Sequence, residues 1–300
     1  MESYIRSDLA CETTLKDRGQ MAGVEESEHR AGRFTISRMR ICTEEAARSL
    51  ERPRGRYITV ECGMRMDLLV REERRVLEHL LCGELRAMTS SLTGKASGKG
   101  MSVFVAGLGN AELTADALGP QTVRGLIATR HLQRHVAHLY ETTECAALSA
   151  LAPGVLGQTG IETLELLKSV TKTVCPDLVV VIDALAARSC ERLAATVQLS
   201  DAGIAPGSGV GNHRASITQE TLGVPVIALG VPTVVSSATL VFDVLQAAGI
   251  TERDDHLEKI LSGGKSFFVS PKESDVICSC TAEILAGAIG LAFTKEMLEI

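Results

Sequence analysis

Two aspartates stand where acid-base chemistry could be done. Asp116 lies in the stretch LTADALGP after the apolar run SVFVAG, and Asp183 follows the aliphatic run LVVVI. Both runs read as strands, and in open α/β sheets ligands gather beyond the carboxyl ends of the strands. Separation in sequence is immaterial if the two strands are neighbours. An acid at the end of a long aliphatic run is costly to bury without a partner. Two carboxyls held close cannot both ionise cheaply, so one keeps its proton and the pair offers a base and an acid near neutral pH. Hydrolysis by an activated water fits such a pair. The plainer reading has Asp116 capping the following turn and Asp183 bonded to backbone.

Other constellations are less specific. His131, His135 and His138 recur at i, i+4 and i+7, which presents imidazoles to a metal if one helix carries all three, but no HExxH is present and an exposed polar stripe is commoner. His213 could join Asp116 and Asp183 as a third metal ligand. Gly107-Leu108-Gly109-Asn110 invites a dinucleotide reading, yet Glu112 stands where the fingerprint needs its third glycine, and no GxxxxGK[ST] loop occurs. Gly207, Gly209 and Gly211 form a second glycine-rich loop, permissive of close approach by a chain or ligand or simply a tight connection. Ser208 misses the GxSxG elbow by one position, and no Asp-Thr/Ser-Gly of the pepsin type occurs.

The elements that must position these residues begin at residue 101. SVFVAGLGN reads as a strand, and a helix is expected over Gln121 to His138. Another follows over Ile161, Leu164, Leu167, Val170 and Val174, ended by Pro176. LVVVIDAL, buried on both faces, TVQLS, VPVIALGV and SFFVS are further strands. Ser270 as N-cap, Pro271 and Glu273 then mark the start of a C-terminal helix running to about Thr294. Alternating strands and helices specify an α/β three-layer sandwich on a mainly parallel sheet.

The first hundred residues are richer in Arg and Glu. ITVEC reads as a short strand, and Arg71 to Arg86 as a helix with Val76, Leu77, Leu80 and Leu81 on one side. Eight arginines between Arg30 and Arg56 face six glutamates in Val24 to Arg56, which reads as a solvated face rather than a recognition patch. TSSLTGKASGKG reads as a loop.

Of 300 residues, 45% are apolar and 23% charged, enough for a sizeable core. The longest apolar run, Ile284 to Phe293, is about half the length of a membrane span, and the N-terminus lacks a signal-peptide core. No membrane partner is expected. Nine scattered cysteines, with no CxxC, suggest reduced thiols in the cell interior. A net charge of −6 argues against a nucleic-acid binder working through bulk positive charge.

At these residues the sequence resembles the germination protease family, spore endopeptidases of endospore-forming bacteria. The resemblance is carried by YIRSDLACE, VAGLGNAELTADALGPQTVRGLIATRHL, VVVIDALAARS, DAGIAPGSGVGNHR with ETLGVPVIALGVPTVV, and FVSPKESD, in collinear order over nearly the whole chain. It implies a fold similar to hydrogenase maturation proteases and an aspartic-type, metal-independent endopeptidase with no cofactor. The two catalytic aspartates fall on Asp116 and Asp183, and Asn110, Gly207, Gly209, Gly211 and Asn212 are candidates to shape the substrate cleft. It also implies a homotetramer in the spore core whose substrates are small acid-soluble spore proteins, so the enzyme need not touch the DNA they coat. Family members are made as zymogens and cut after an acid that precedes a hydrophobic residue and alanine. Ser7-Asp8-Leu9-Ala10 has that arrangement, so cleavage is expected between Asp8 and Leu9, leaving a 1–8 propeptide and a 9–300 peptidase domain whose catalytic core is 101–300. After VPTVV the family pattern leads one to expect an acid, and this chain has Ser236.

Overall fold

Apolar runs broken by turn residues build one sheet, seen in a computed structural model that describes residues 7–12, 21–210, 214–249 and 267–294. Its strands are β1 (Val24–Ala31), β2 (Phe34–Ile41), β3 (Gly55–Glu61), β4 (Ser102–Gly107), β5 (Ala147–Leu151), β6 (Leu178–Ala187), β7 (Thr196–Ser200), β8 (Val226–Ser236) and β9 (Phe268–Val269). Across the sheet the order is β1-β2-β3-β7-β8-β6-β4-β5, with β9 paired to the end of β8. Strands β8, β6, β4 and β5 run parallel. The pairs β1-β2, β2-β3, β3-β7 and β7-β8 are antiparallel. The chain is thus an α/β sandwich on a parallel core, lengthened by an antiparallel half. Strand β1 (VEESEHRA) was hidden in sequence because it lies at the sheet edge with six exposed residues and carries no alternating apolar signal; β2, which buries Phe34, Ile36 and Ile41, was missed as well.

Helices cover both faces. α1 (Glu44–Ser49) lies between β2 and β3. On one face, Leu77, Leu81 and Leu85 of α2 (Arg71–Thr93), Leu118 of α3 (Leu118–Arg124) and Leu285 and Ile289 of the C-terminal helix (Ser274–Phe293) pack on Val103, Val105, Val180 and Ile182. The opposite residues of the same strands, Phe104, Ala106, Val179 and Val181, meet Leu167 of a helix over Thr163–Val174 and Leu222 of a short one over Gln219–Leu222. Strand β6 is therefore apolar on both sides, as its continuous aliphatic run requires.

Three expectations change. The helix expected over Gln121 to His138 is three pieces: α3, α4 (Arg130–His135) and α5 (Ala137–Tyr140). Thr129 interrupts it, because its N–H donates to Leu148 O (2.9 Å) and its hydroxyl to Ala146 O (2.5 Å), tying the chain to the start of β5. α2 runs on to Thr93, where Gly94 takes a left-handed conformation (φ 69°), and Val76 is exposed while burial follows Leu77, Leu81, Cys82, Leu85 and Met88. The C-terminal helix starts at Ser274 and not behind a Ser270 cap, because pairing of β9 with β8 keeps the preceding chain extended.

With the remaining short helices α6 (Leu156–Thr159), α7 (Thr163–Val174), α8 (Gln219–Leu222) and α9 (Ser237–Ala247), the C-terminal helix is α10. By length and composition α10 could cross a membrane, with a mean hydropathy of 1.9, but 67% of that stretch is buried inside the protein, where it packs on α2. None of the nine cysteines is in a disulfide.

Candidate active site

Strand β6 outlasts its neighbour. Gly107, the last residue of β4, pairs with Ile182, so Asp183 is the first β6 residue beyond the end of β4. Its own strand continues to Ala187 alongside β8, and Asp183 pairs there with Gly230. Only 5% of Asp183 is exposed, and its Oδ1 accepts the Ala184 N–H at 3.0 Å. Burial first, then the negative charges of Asp116 and Asp8, push its pKa well above the usual carboxyl range; the Ala184 N–H and Arg214 oppose this more weakly.

Asp116 arrives from the loop after β4. Leu108 N–H still bonds Ile182 O (2.8 Å), and Gly109 then turns the chain at φ 110°. A side chain at Gly109 would collide with the Asp116 carbonyl, so glycine is needed for both conformation and space. Asp116 ends a 3-10 turn (Thr114–Asp116), and its Oδ2 accepts the Asn110 N–H at 2.8 Å. Thr233 of β8 donates its hydroxyl to Ala115 O (2.6 Å), fixing that turn above the sheet. Burial raises the Asp116 pKa, countered by the Asn110 N–H and Arg214. Each aspartate thus accepts a backbone N–H, as the plainer reading has it, and both are nevertheless held toward their protonated forms.

A third carboxylate, Asp8, reaches the same region. Its N–H donates to Ala186 O and its Oδ2 accepts the Ala186 N–H, both at 2.9 Å, while Ser208 Oγ donates to Oδ1 at 2.7 Å. Gly209 packs so tightly here that a Cβ would strike the Asp8 carboxylate. The next residue, Leu9, is fully buried among Leu185, Leu193 and Val235. The Asp8 carbonyl accepts from Arg52 Nη1 and from Gln198 Nε2, each at 3.1 Å. A cavity of about 620 Å³ opens alongside, lined in part by Asp8, Arg52, Gln198, Ser208, Gly209 and Gly230.

The remaining sequence candidates divide. Asn110 holds Asp116 through its backbone, while its side chain faces the Glu112 N–H and Gln158 Nε2. Gly207 turns the loop at φ 72°. Gly211, Asn212 and His213 lie outside the described residues. His131 and His135 are exposed on α4, and His138 is exposed on the separate α5, so no one helix presents all three. Among the described residues no group of three or more His, Cys, Asp or Glu is arranged to hold a metal ion.

Arg52, Gln198 and Arg214 were not picked out from sequence, and Ser208 was weighed there only as a nucleophile. Gln198 left a trace, since TVQLS places Thr196, Gln198 and Ser200 on one face and Val197 and Leu199 on the other. Arg52 left none, lying among arginines that pair as a solvated face does: Arg33 with Glu73, Arg54 with Glu44 and Arg56 with Asp201.

Residues 6–248 match the family model described as germination protease. A germination protease from Caldanaerobacter subterraneus subsp. tengcongensis is 39% identical over 98% of this chain and 96% of its own. One from Clostridium perfringens is 37% identical over 88% and 85%, and one from Priestia megaterium 42% identical over 79% and 63%. A solved [NiFe] hydrogenase maturation protease, HycI from Thermococcus kodakarensis, gives a TM-score of 0.39 at 17% identity, covering 70% of this chain and 99% of its own. At that distance it does not bear on the site.

Proposed function

The chain belongs to the germination protease family, and we propose that within it the chain is a self-processing endopeptidase whose water-activating groups are Asp116 and Asp183. Membership makes it a protease; the mechanism rests on one observation. Asp183 is buried beside two other carboxylates and is held far toward its protonated form, with Asp116 raised alongside it. Such a pair favours keeping one proton between its two members. The ionised member takes a proton from the attacking water, and the protonated member serves the carbonyl oxygen or the leaving amine. The titration belongs to the pair, so neither role is assigned to one residue.

Asp8-Leu9 is the first bond cut. The supporting geometry is the seating of Leu9 in an apolar pocket and of Asp8 against Ala186 and Ser208, with the Asp8 charge felt at Asp183. Processing discards residues 1–8 from the 9–300 peptidase domain and frees the cleft for other chains. Its substrates are small acid-soluble spore proteins cut after an acid, and the working form is a homotetramer in the spore core, without cofactor, membrane or nucleic-acid partner.

Replacing Asp116 or Asp183 by Asn removes a carboxyl without changing shape. Either change is expected to slow processing and peptide cleavage by at least about 10²-fold. Intact mass follows the loss of MESYIRSD, and turnover at the wild-type rate in either variant rejects the assignment.

A further inference from the structure

Two side chains straddle the Asp8-Leu9 peptide. Gln198 donates Nε2–H to the Asp8 carbonyl and accepts the Ala10 N–H on Oε1 at 2.6 Å, spanning from one side of the bond to the other. Arg52 donates to the carbonyls of Ser7, Asp8 and Leu9 in succession. Resting on the function proposed above, we propose that Arg52 and Gln198 are catalytic residues that bind the scissile carbonyl oxygen and stabilise the charge that forms on it, in other substrates as in this segment.

Three features argue for more than seating the segment. First, Leu9 already anchors it in an apolar pocket, yet two donors, one a guanidinium, converge on a single carbonyl oxygen, the arrangement that stabilises a developing oxyanion. Secondly, Gln198 and Asp183 both pair with Gly230, so they share one row and one face of the sheet, two strand spacings or about 10 Å apart at Cα. Gly230 stands between them, and the Leu185 side chain packs closely over its α-carbon. Thirdly, the Arg52 backbone is held by the chain's own hydrogen bonds and not by the segment. α1 ends in a Schellman motif, with Arg52 N–H bonded to Ala47 O (3.0 Å), Glu51 N–H to Arg48 O (3.3 Å) and Glu51 left-handed at φ 51°.

Water attacks the Asp8 carbonyl carbon and gives up a proton to the ionised aspartate. The negative charge moves to the carbonyl oxygen, against Arg52 and Gln198. Collapse breaks the carbon-nitrogen bond, and the nitrogen of Leu9 leaves with the proton of the other aspartate, giving a new carboxyl terminus at Asp8 and an amine at Leu9.

Gln198→Glu keeps an acceptor for Ala10 N–H, removes the amide donor to Asp8 O and adds a negative charge beside it; Arg52→Lys keeps charge and loses the fork. In the full-length chain, processing followed by intact mass is expected to slow about 10²- to 10³-fold in each, with hydrogen exchange of residues 7–12 unchanged. Processed chain from each variant should cleave a peptide containing Ser-Asp-Leu-Ala with kcat reduced similarly and KM within a few-fold. A wild-type kcat on that peptide overturns the proposal, as does slowed processing together with faster exchange in residues 7–12, which marks a seating role. Asp183→Asn run beside them separates the two readings: if it alone stays active, the aspartate pair fails while the carbonyl-binding role stands on its own result.

Discussion

Asp183 draws its chemistry and its cost from the same burial. Its folded pKa lies well above the unfolded value of about 3.9. The folded state therefore holds the proton more tightly, and the resulting stabilisation is complete below the unfolded pKa and lost as pH rises through the folded one. Asp183→Asn has no such loss, so its unfolding midpoint in urea should match wild type near pH 3 and exceed it increasingly as pH rises above the unfolded pKa toward the folded one. A gap that narrows with rising pH contradicts this. The inactive variant is thus expected to be the more stable protein at neutral pH, the usual trade at an active site. Ser236 gives a second residue-level expectation. Its Oγ accepts the Thr239 N–H at 3.1 Å at the start of α9, a capping role that aspartate can also fill. Ser236→Ala should cost about 0.5–2 kcal/mol in thermal unfolding, while Ser236→Asp should stay within about 0.5 kcal/mol. At this scale sequence is partly legible. An acid ending an aliphatic run is conspicuous because its burial is costly. Arg52 is not, because nothing in a run of arginines says which one is turned inward by a left-handed Glu51.

Elements place these residues through close backbone packing that composition does not reveal. Gly107 at the end of β4 and Gly119 in α3 touch so closely that a Cβ on either would overlap the other's backbone, and Gly109 is fitted against the Asp116 carbonyl in the same way. Gly109→Ala adds a left-handed penalty of about 1–2 kcal/mol to that collision. Together these should lower stability by about 2–5 kcal/mol and, by displacing Asp116, reduce turnover by about 10²-fold. Turnover at the wild-type level would show that the turn does not fix the carboxylate. The strands carrying these glycines were readable from their aliphatic runs, and the turns were marked by the glycines themselves. The break at Thr129 was not readable, since local periodicity continues through it and only the tertiary hydrogen bonds to Ala146 and Leu148 oppose it. For the same reason β1 escaped notice: an exposed, charged edge strand is specified by its partner more than by its own pattern.

At the scale of the molecule, both aspartates lie in residues 101–300, yet the sheet that holds them does not end at residue 101. β3 pairs along Tyr57 to Glu61 with β7, the strand that presents Gln198, and Arg52 comes from the same early part of the chain. One core cluster joins Phe34, Ile36, Ile58, Val60, Leu77, Leu81, Leu85 and Met88 to the parallel strands and α10. At about 1.5–3 kcal/mol for each buried apolar side chain, removing these eight forfeits on the order of 12 kcal/mol or more, comparable to the whole net stability of an ordinary domain, about 5–15 kcal/mol. It would also uncover α10, whose apolar surface α2 now covers. A chain of residues 101–300 alone should therefore show no cooperative melt by circular dichroism and should be digested by a dilute protease under conditions that spare the full chain. A sharp thermal transition in that fragment would mean that the catalytic strands fold without the antiparallel half. In that case the first hundred residues would serve only to bring Arg52, Leu9 and the segment around them to a sheet already built.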